Sequence, residues 1–305
     1  MRILVLGAGA IGGYFGGRLV EAGVDVTFLV RERRAEQLTR HGLVIESPVG
    51  NTKLSVKAVT SADGGYDAVI LTCKAYDLAG AVDAIAPAVG PRTVVLPLLN
   101  GMRHLEVLDQ RFGEARVLGG LCHIGVTMAD DGSIRHLSAP AFFAVGPRLP
   151  EQLEIAKALH ALLARGGFKP LYSDVILQEM WEKFYFIAAY AGLTCLMRAP
   201  IGAIMEARDG EHLALRLMDE TAAVAKASGY TPREDFVRRS VRTITEKGSP
   251  ATSSMLRDVL RGARTEHDHV IDDMLTRAEA LRLDTPILRV VSAHLQAYEA
   301  NRSRA

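Results

Sequence analysis

The sequence predicts a two-domain α/β protein: a mostly parallel sheet with helices on its faces over residues 1–173, then an all-helical domain over 174–305. Residues 1–173 alternate short apolar runs with amphipathic or glycine-punctuated segments, the pattern of repeated βαβ units. Strand-like runs stop after Asp174, a residue suited to capping a helix. A length of 305 residues also exceeds one ordinary domain of ~100–200 residues and suits two.

Strands are expected at 2–6, 24–30, 68–72, 93–98, 117–127, 134–136, 142–146 and 168–172. The first four are near-continuous apolar runs, as parallel strands covered on both faces require. The later ones alternate and read as antiparallel. Beyond 174, a helix is expected from about 206 to 228, with Leu213, Leu217, Thr221 and Val224 on one face and Gly229 ending it. Thr231-Pro232-Arg233-Glu234 reads as a capping box with proline at the first helical position, and Thr285-Pro286 opens the last helix in the same way. The uncharged run 184–197 falls short of the roughly 20 residues that span a bilayer and reads as a buried core helix. Arg2 and the apolar stretch up to Phe15 loosely mimic a secretory signal, but glycines at 7, 9, 12, 13, 16 and 17 argue against one.

Composition narrows the function classes. Thirty-six basic against 35 acidic residues leave a net charge of +1, so no global field holds a nucleic-acid backbone or an anionic membrane. Cys73, Cys122 and Cys195 are too widely spaced for a disulfide framework or paired metal ligands, which suits a reducing cytoplasm. With 49% hydrophobic and 23% charged residues, the whole chain is expected to fold.

Gly7-Ala8-Gly9-Ala10-Ile11-Gly12 follows the first strand and opens a helix carrying Ile11, Phe15 and Leu19 on one face. That context makes it a dinucleotide fingerprint: Gly7 for the tight turn, Gly9 for close approach of a pyrophosphate, Gly12 for helix–strand packing, and the helix N-terminus as phosphate donor. At the end of the second strand, an NAD site places an acid against the ribose 2′-hydroxyl. Here Val30 runs into Arg31, and Arg31 with Arg33 or Arg34 favours a 2′-phosphate and therefore NADP, while Glu32 keeps NAD open.

Lys74 and Asn100-Gly101-Met102 follow the third and fourth apolar strands, at the carboxyl edge where open α/β sheets bind ligands. Lys183, in Trp181-Glu182-Lys183, borders a long apolar helix whose burial suits acid–base chemistry, although a surface pair with Glu179 explains it equally. Glu266 shares a helical stripe with Val270, Met274, Arg277 and Leu281. His267 and His269, two apart, point to different sides of a helix, so no metal is expected.

Together, the N-terminal Gly-Ala-Gly-Ala-Ile-Gly, Cys73-Lys74-Ala75, Asn100-Gly101-Met102, Trp181-Glu182-Lys183, Ser253-Ser254-Met255-Leu256-Arg257-Asp258 and Arg264-Thr265-Glu266 resemble the ketopantoate reductase (2-dehydropantoate 2-reductase) family over nearly the whole chain. The resemblance implies an N-terminal Rossmann dinucleotide-binding domain, an all-helical C-terminal domain like that of 6-phosphogluconate dehydrogenase, an active site in the cleft between them, and NADPH as cofactor. It makes Lys183 the general acid and has Glu266 orient it and the substrate hydroxyls. Ser254 would bind the substrate carboxylate. Asn100 would lie beside nicotinamide and substrate, Lys74 would contact ribose or substrate, and Arg31 would hold the 2′-phosphate.

The sequence departs from the family pattern at Ile187, Ala191 and Ile201, where well-known members carry substrate-binding asparagines. Arg198 is a candidate replacement anchor for a carboxylate. The resulting expectation is a cytoplasmic NADPH-dependent reductase of a small 2-oxo acid, foremost 2-dehydropantoate on the route to pantothenate, with no nucleic-acid or membrane partner and a homodimer as the family's guide. Another 2-oxo acid on the same scaffold, or a noncatalytic NADP-binding sensor, are the competing readings.

Overall fold

The computed structural model describes residues 1–304, and the side chains of all of these except 138–140. Two compact units emerge, one of Met1–Leu99 with His104–Leu177, the other of Asn100–Arg103 with the chain from Gln178 onward.

In chain order the first unit begins β1 (Ile3–Leu6), α1 (Ala10–Glu21), β2 (Val26–Leu29), α2 (Glu32–His41), β3 (Leu43–Glu46), β4 (Thr52–Leu54) and β5 (Lys57–Val59). It continues with β6 (Ala68–Leu71), α3 (Leu78–Ile85), β7 (Val94–Pro97), α4 (Arg103–Phe112), β8 (Gly119–Met128), β9 (Ile134–Gly146), α5 (Leu153–Leu163) and β10 (Lys169–Tyr172). A five-stranded, wholly parallel sheet has the order β5-β2-β1-β6-β7. The four residues of β2, of β6 and of β7 are all buried, which is why these strands lack alternation in the sequence. From β1 the chain winds outward through β2 and β5, then crosses back to β6 and β7. The reversal between β1 and β6 leaves a crevice at their carboxyl ends, directly beneath the glycine loop.

A second sheet runs β10-β9-β3-β4, with β8 antiparallel to β9. The segments expected at 134–136 and 142–146 are one strand, β9. β10 pairs parallel with β9, not antiparallel as its alternation suggested, because α5 supplies the crossover that a parallel neighbour needs. The sequence reading also missed β3, β4 and β5. α1 faces both sheets: its Phe15 ring meets Phe143 and Phe168 edge-on at centroid distances of 5.1 and 4.9 Å, while Gly16 faces Phe28 of the parallel sheet.

The helical unit contains α6 (Ile176–Met197), α7 (Ile201–Glu206), α8 (Gly210–Ala227), α9 (Glu234–Ile244), α10 (Ser254–Leu260), α11 (Asp273–Ala280) and α12 (Pro286–Arg302). α6 is the expected core helix, with Phe184, Tyr185, Ala188, Ala189, Leu193 and Cys195 at most 1% exposed. Among the described residues no helix is long and apolar enough to cross a membrane.

The helix expected from 206 starts instead at Gly210, because residues 207–209 form the break after α7. Two expected caps are also replaced. α9 begins after Arg233, not Thr231, and the Arg233 N–H donates to Glu182 Oε1 at 2.8 Å. Proline does open α12, yet the Thr285 hydroxyl makes no cap; Glu220 of α8 accepts the Ile287 and Leu288 N–H groups at 3.1 and 2.8 Å. In both places a buried carboxylate from another helix satisfies a helix start better than the local hydroxyl.

Candidate active site

The glycine loop has the geometry its spacing implied. Gly7 has φ +92°, a conformation open to glycine, and its N–H donates to Leu29 O at 2.9 Å. A Cβ on Gly12 would overlap Gly7 O and Thr72 Oγ1, whereas Gly9 faces open space. The Thr72 hydroxyl donates to Leu6 O at 2.7 Å and ties the ends of β6 and β1 together under the loop. α1 starts at Ala10 with Gly9 as N-cap, no capping side chain and no acid in its first turn. The arrangement leaves helix N–H donors for an anion, so the fold fits a dinucleotide pyrophosphate.

Cations flank the loop because β2 and β6 flank β1. Arg31 follows β2; its side chain is 86% exposed and its Nη2 lies 3.4 Å from Asp77 Oδ1. An exposed pair of this kind contributes about 0–1 kcal/mol, so Arg31 leaves Asp77 at little cost. Lys74 is exposed just beyond β6, where it opens the short 3-10 turn Ala75–Asp77. Of the other arginines considered for a 2′-phosphate, Arg33 is exposed, but Arg34 turns inward onto the Ala8 carbonyl.

In the helical unit three segments meet around Gly101. Its φ is +84°, and a Cβ there would overlap the His269 carbonyl and lie 3.9 Å from Phe184 Cε2. Asn100-Gly101-Met102 is thereby packed against α6, one residue from half-buried Lys183, and against the turn that follows Glu266. Glu266 is 8% exposed. Its carbonyl accepts the N–H groups of His269 and Val270 at 3.2 and 3.1 Å.

The expected stripe through Glu266 is corrected here. A π-helical turn, Asp268–Asp272, precedes α11, so Glu266 lies ahead of the helix. Val270 and Met274 are core, while Leu281 lies past the end of α11 and is 38% exposed. Single π turns of this sort recur at functional sites. His269 is buried, and burial pushes its imidazole below its ordinary pKa. His267 Nε2 instead lies 3.6 Å from Asp272. Among the described residues no group of three or more His, Cys, Asp or Glu is placed to hold a metal.

The sequence reading missed what holds α6 in place. Glu182, next to Lys183, is 1% exposed and accepts from Arg233 Nε and Nη2 at 2.8 and 2.6 Å as well as from its backbone. Trp181 stacks on Tyr230 at 5.5 Å, and the Arg277 guanidinium lies 5.5 Å from the Trp181 ring centroid. The signal was present in Trp181-Glu182 beside Arg233, but a pairing over 51 residues has no local signature.

At the other end of α6, Ser253 rather than Ser254 is the cap. Its hydroxyl accepts the Leu256 N–H at 3.0 Å and pairs with Thr194 at 2.8 Å, leaving Ser254 exposed as the first residue of α10. Ile187 is half-buried, Ala191 is 6% exposed and Ile201 fully buried, so the apolar residue at 201 belongs to the core. Arg198 is exposed with φ +51°; it closes α6, with its own N–H bonded to Cys195 O and the next to Thr194 O, a turn usually made by glycine. Arg198→Gly is expected to stabilise the protein by up to about 1 kcal/mol, read as a higher thermal midpoint. In the same variant a raised KM for the 2-oxo acid that the resemblance implies as substrate identifies Arg198 as a carboxylate anchor, and an unchanged KM removes it from the site.

A glycine loop at the switch point of a parallel sheet, followed by a helical unit in which Asn100-Gly101 packs against α6 and the turn after Glu266, is the architecture of a dinucleotide-binding α/β protein. The chain belongs to the ketopantoate reductase family. The model of ketopantoate reductase PanE/ApbA matches residues 3–149, and that of its C-terminal part matches residues 175–299. The Bacillus subtilis protein described as an uncharacterized oxidoreductase, YkpB, is 40% identical over 99% of this chain and 100% of its own. A 2-dehydropantoate 2-reductase of Pyrococcus horikoshii is 28% identical over 98% of each chain. The crystal structure of a PanE/ApbA family ketopantoate reductase from Ralstonia eutropha superposes with a TM-score of 0.90 at 27% identity, covering 99% of this chain and 100% of that one. The N-terminal unit is accordingly a Rossmann-type domain, and the protein is an oxidoreductase of this family.

Proposed function

We propose that the protein is a 2-dehydropantoate 2-reductase that uses NADPH to reduce the ketone of 2-dehydropantoate to the alcohol of pantoate, a step toward pantothenate. The observation that carries this reading is the meeting of Asn100-Gly101, the Lys183 segment of α6 and the turn after Glu266 within one unit. Gly7, Ala8, Gly9, Ala10, Ile11 and Gly12 would hold the cofactor's pyrophosphate, Arg31 its 2′-phosphate, and Lys74 and Asn100 the ribose and nicotinamide ends. A nicotinamide held there would supply the hydride for the carbonyl carbon.

Lys183 donates a proton to the ketone oxygen, where negative charge develops, and so completes the alcohol. Glu266, which is buried, orients the ammonium and accepts a hydrogen bond from a substrate hydroxyl. Ser254, with Arg198, would meet the carboxylate. Ile187 and Ala191 favour a second reading, the same chemistry on another small 2-oxo acid. Each missing amide removes hydrogen bonds worth about 0.5–1.5 kcal/mol to a polar substrate. Product analysis tests the choice: pantoate formed mole for mole with NADPH consumed supports the first reading, and NADPH oxidation only with other 2-oxo acids supports the second.

A further inference from the structure

Arg34 is the one arginine of the 31–34 run that faces the glycine loop itself. Its Nε donates to the Ala8 carbonyl at 3.0 Å, and its Nη1 donates to Gln37 Oε1 at 2.6 Å. Gln37 is in turn fixed from the far side, since its Nε2 donates to the Asp131 carbonyl in the turn between β8 and β9 at 2.6 Å. That turn comes so close, at Gly132, that a Cβ there would overlap Gln37 and touch Arg34 Nη1. Burial lowers the pKa of the guanidinium, no acid among the described residues forms an ion pair with it, and both of its bonds go to neutral oxygens. This is not the disposition of a solvated surface arginine, and it differs from that of Arg31, which is exposed beside Asp77.

The peptide that Arg34 grips lies between Ala8 and Gly9. Ala8 is buried on one side of this peptide, whereas Gly9 carries no side chain and has nothing within 4 Å of the position a Cβ would take, so on the Gly9 side the bond from Arg34 is the contact that orients it. A peptide plane that turns over reverses its carbonyl and its N–H together. With the Ala8 carbonyl held by a charge-assisted bond, the Gly9 N–H is kept pointing away from Arg34.

We infer that Arg34 is a positioning residue, which fixes the Ala8–Gly9 peptide through its carbonyl and so presets the loop for the pyrophosphate shared by all nicotinamide dinucleotides. Arg31 acts on a different part of the ligand, the 2′-phosphate. The inference rests on the proposed cofactor binding, but its first consequence concerns the loop without ligand.

The test compares wild type with Arg34→Ala, Arg34→Lys and Gln37→Ala by amide hydrogen exchange of residues 8–13 without cofactor, and by fluorescence titration with NADPH and with NADH. Arg34→Ala is expected to speed exchange in this segment and to weaken NADPH and NADH by the same factor, about tenfold, as for loss of a charged hydrogen bond. Arg34→Lys restores part of the loss, because one donor still reaches Ala8. Gln37→Ala, which leaves Arg34 in place, gives the same changes in smaller measure and serves if Arg34→Ala fails to fold. Unchanged exchange in the loop overturns the inference. So does a loss confined to NADPH, which would place Arg34 on the 2′-phosphate. If wild type binds neither dinucleotide, the proposed function falls, while the exchange result still judges the tether from Arg34.

Discussion

Lys183→Ala is expected to lower kcat for the 2-oxo acid by about 10²–10⁴-fold, the usual contribution of a positioned general acid, while the Kd for NADPH stays at the wild-type value. The split follows from placement. Lys183 is on α6 beside Phe184 in the helical unit, whereas the glycine loop, Arg31 and Lys74 belong to the other unit. Rapid-mixing kinetics under single-turnover conditions, paired with fluorescence titration of NADPH, checks both halves. A loss of NADPH affinity equal to the loss of rate would make Lys183 a cofactor residue instead.

Arg233→Ala is expected to destabilise the protein by about 3 kcal/mol, at the low end for breaking a buried pair because Arg233 is half exposed although Glu182 is sealed. For a chain of this size the thermal midpoint should fall by roughly 5 °C. The effect has a defined pH dependence. Burial raises the Glu182 pKa, but the bonds from Arg233 and Gln178 outweigh it and hold the carboxyl below its ordinary value. A carboxyl depressed by folding contributes stability above its unfolded pKa, about 4.3, and loses it as pH falls through the folded value. The wild-type advantage over Arg233→Ala should therefore be greatest at neutral pH and shrink on acidification. Thermal melts across that range measure it, and a gap that does not narrow in acid would refute the ionised-pair account. Because Glu182 adjoins Lys183, a lower kcat at temperatures where the variant remains folded is also expected.

The contrast between these two residues illustrates what the sequence disclosed. The glycine loop and the core helix that carries Lys183 were legible because their signals are local: a strand, a glycine spacing, an uncharged run. The four central strands were legible because burial on both faces leaves uninterrupted apolar runs such as Ala68–Leu71. β3, β4 and β5 were not, since strands of three or four half-exposed residues are stabilised by remote partners, as Ile45 is by Ile134. The caps at Arg233 and Thr285 were misread for a related reason: Glu182 and Glu220 reach these helix starts from 51 and 67 residues away. Glu266 was singled out from a helical stripe that the fold does not contain, because one π turn breaks the 3.6-residue period that the stripe assumed; that the acid is buried is visible only in the fold. Arg34 was seen as a charge in a basic run, and only the fold directs it to Ala8.

The most direct test of the proposed function is kcat/KM with NADPH for 2-dehydropantoate against a panel of other small 2-oxo acids. The account predicts the highest value for 2-dehydropantoate, with Ile187 and Ala191 tolerated in place of amides. A higher value for a different acid would contradict the substrate assignment and leave the Lys183 mechanism standing, and no NADPH-dependent turnover of any 2-oxo acid would contradict both.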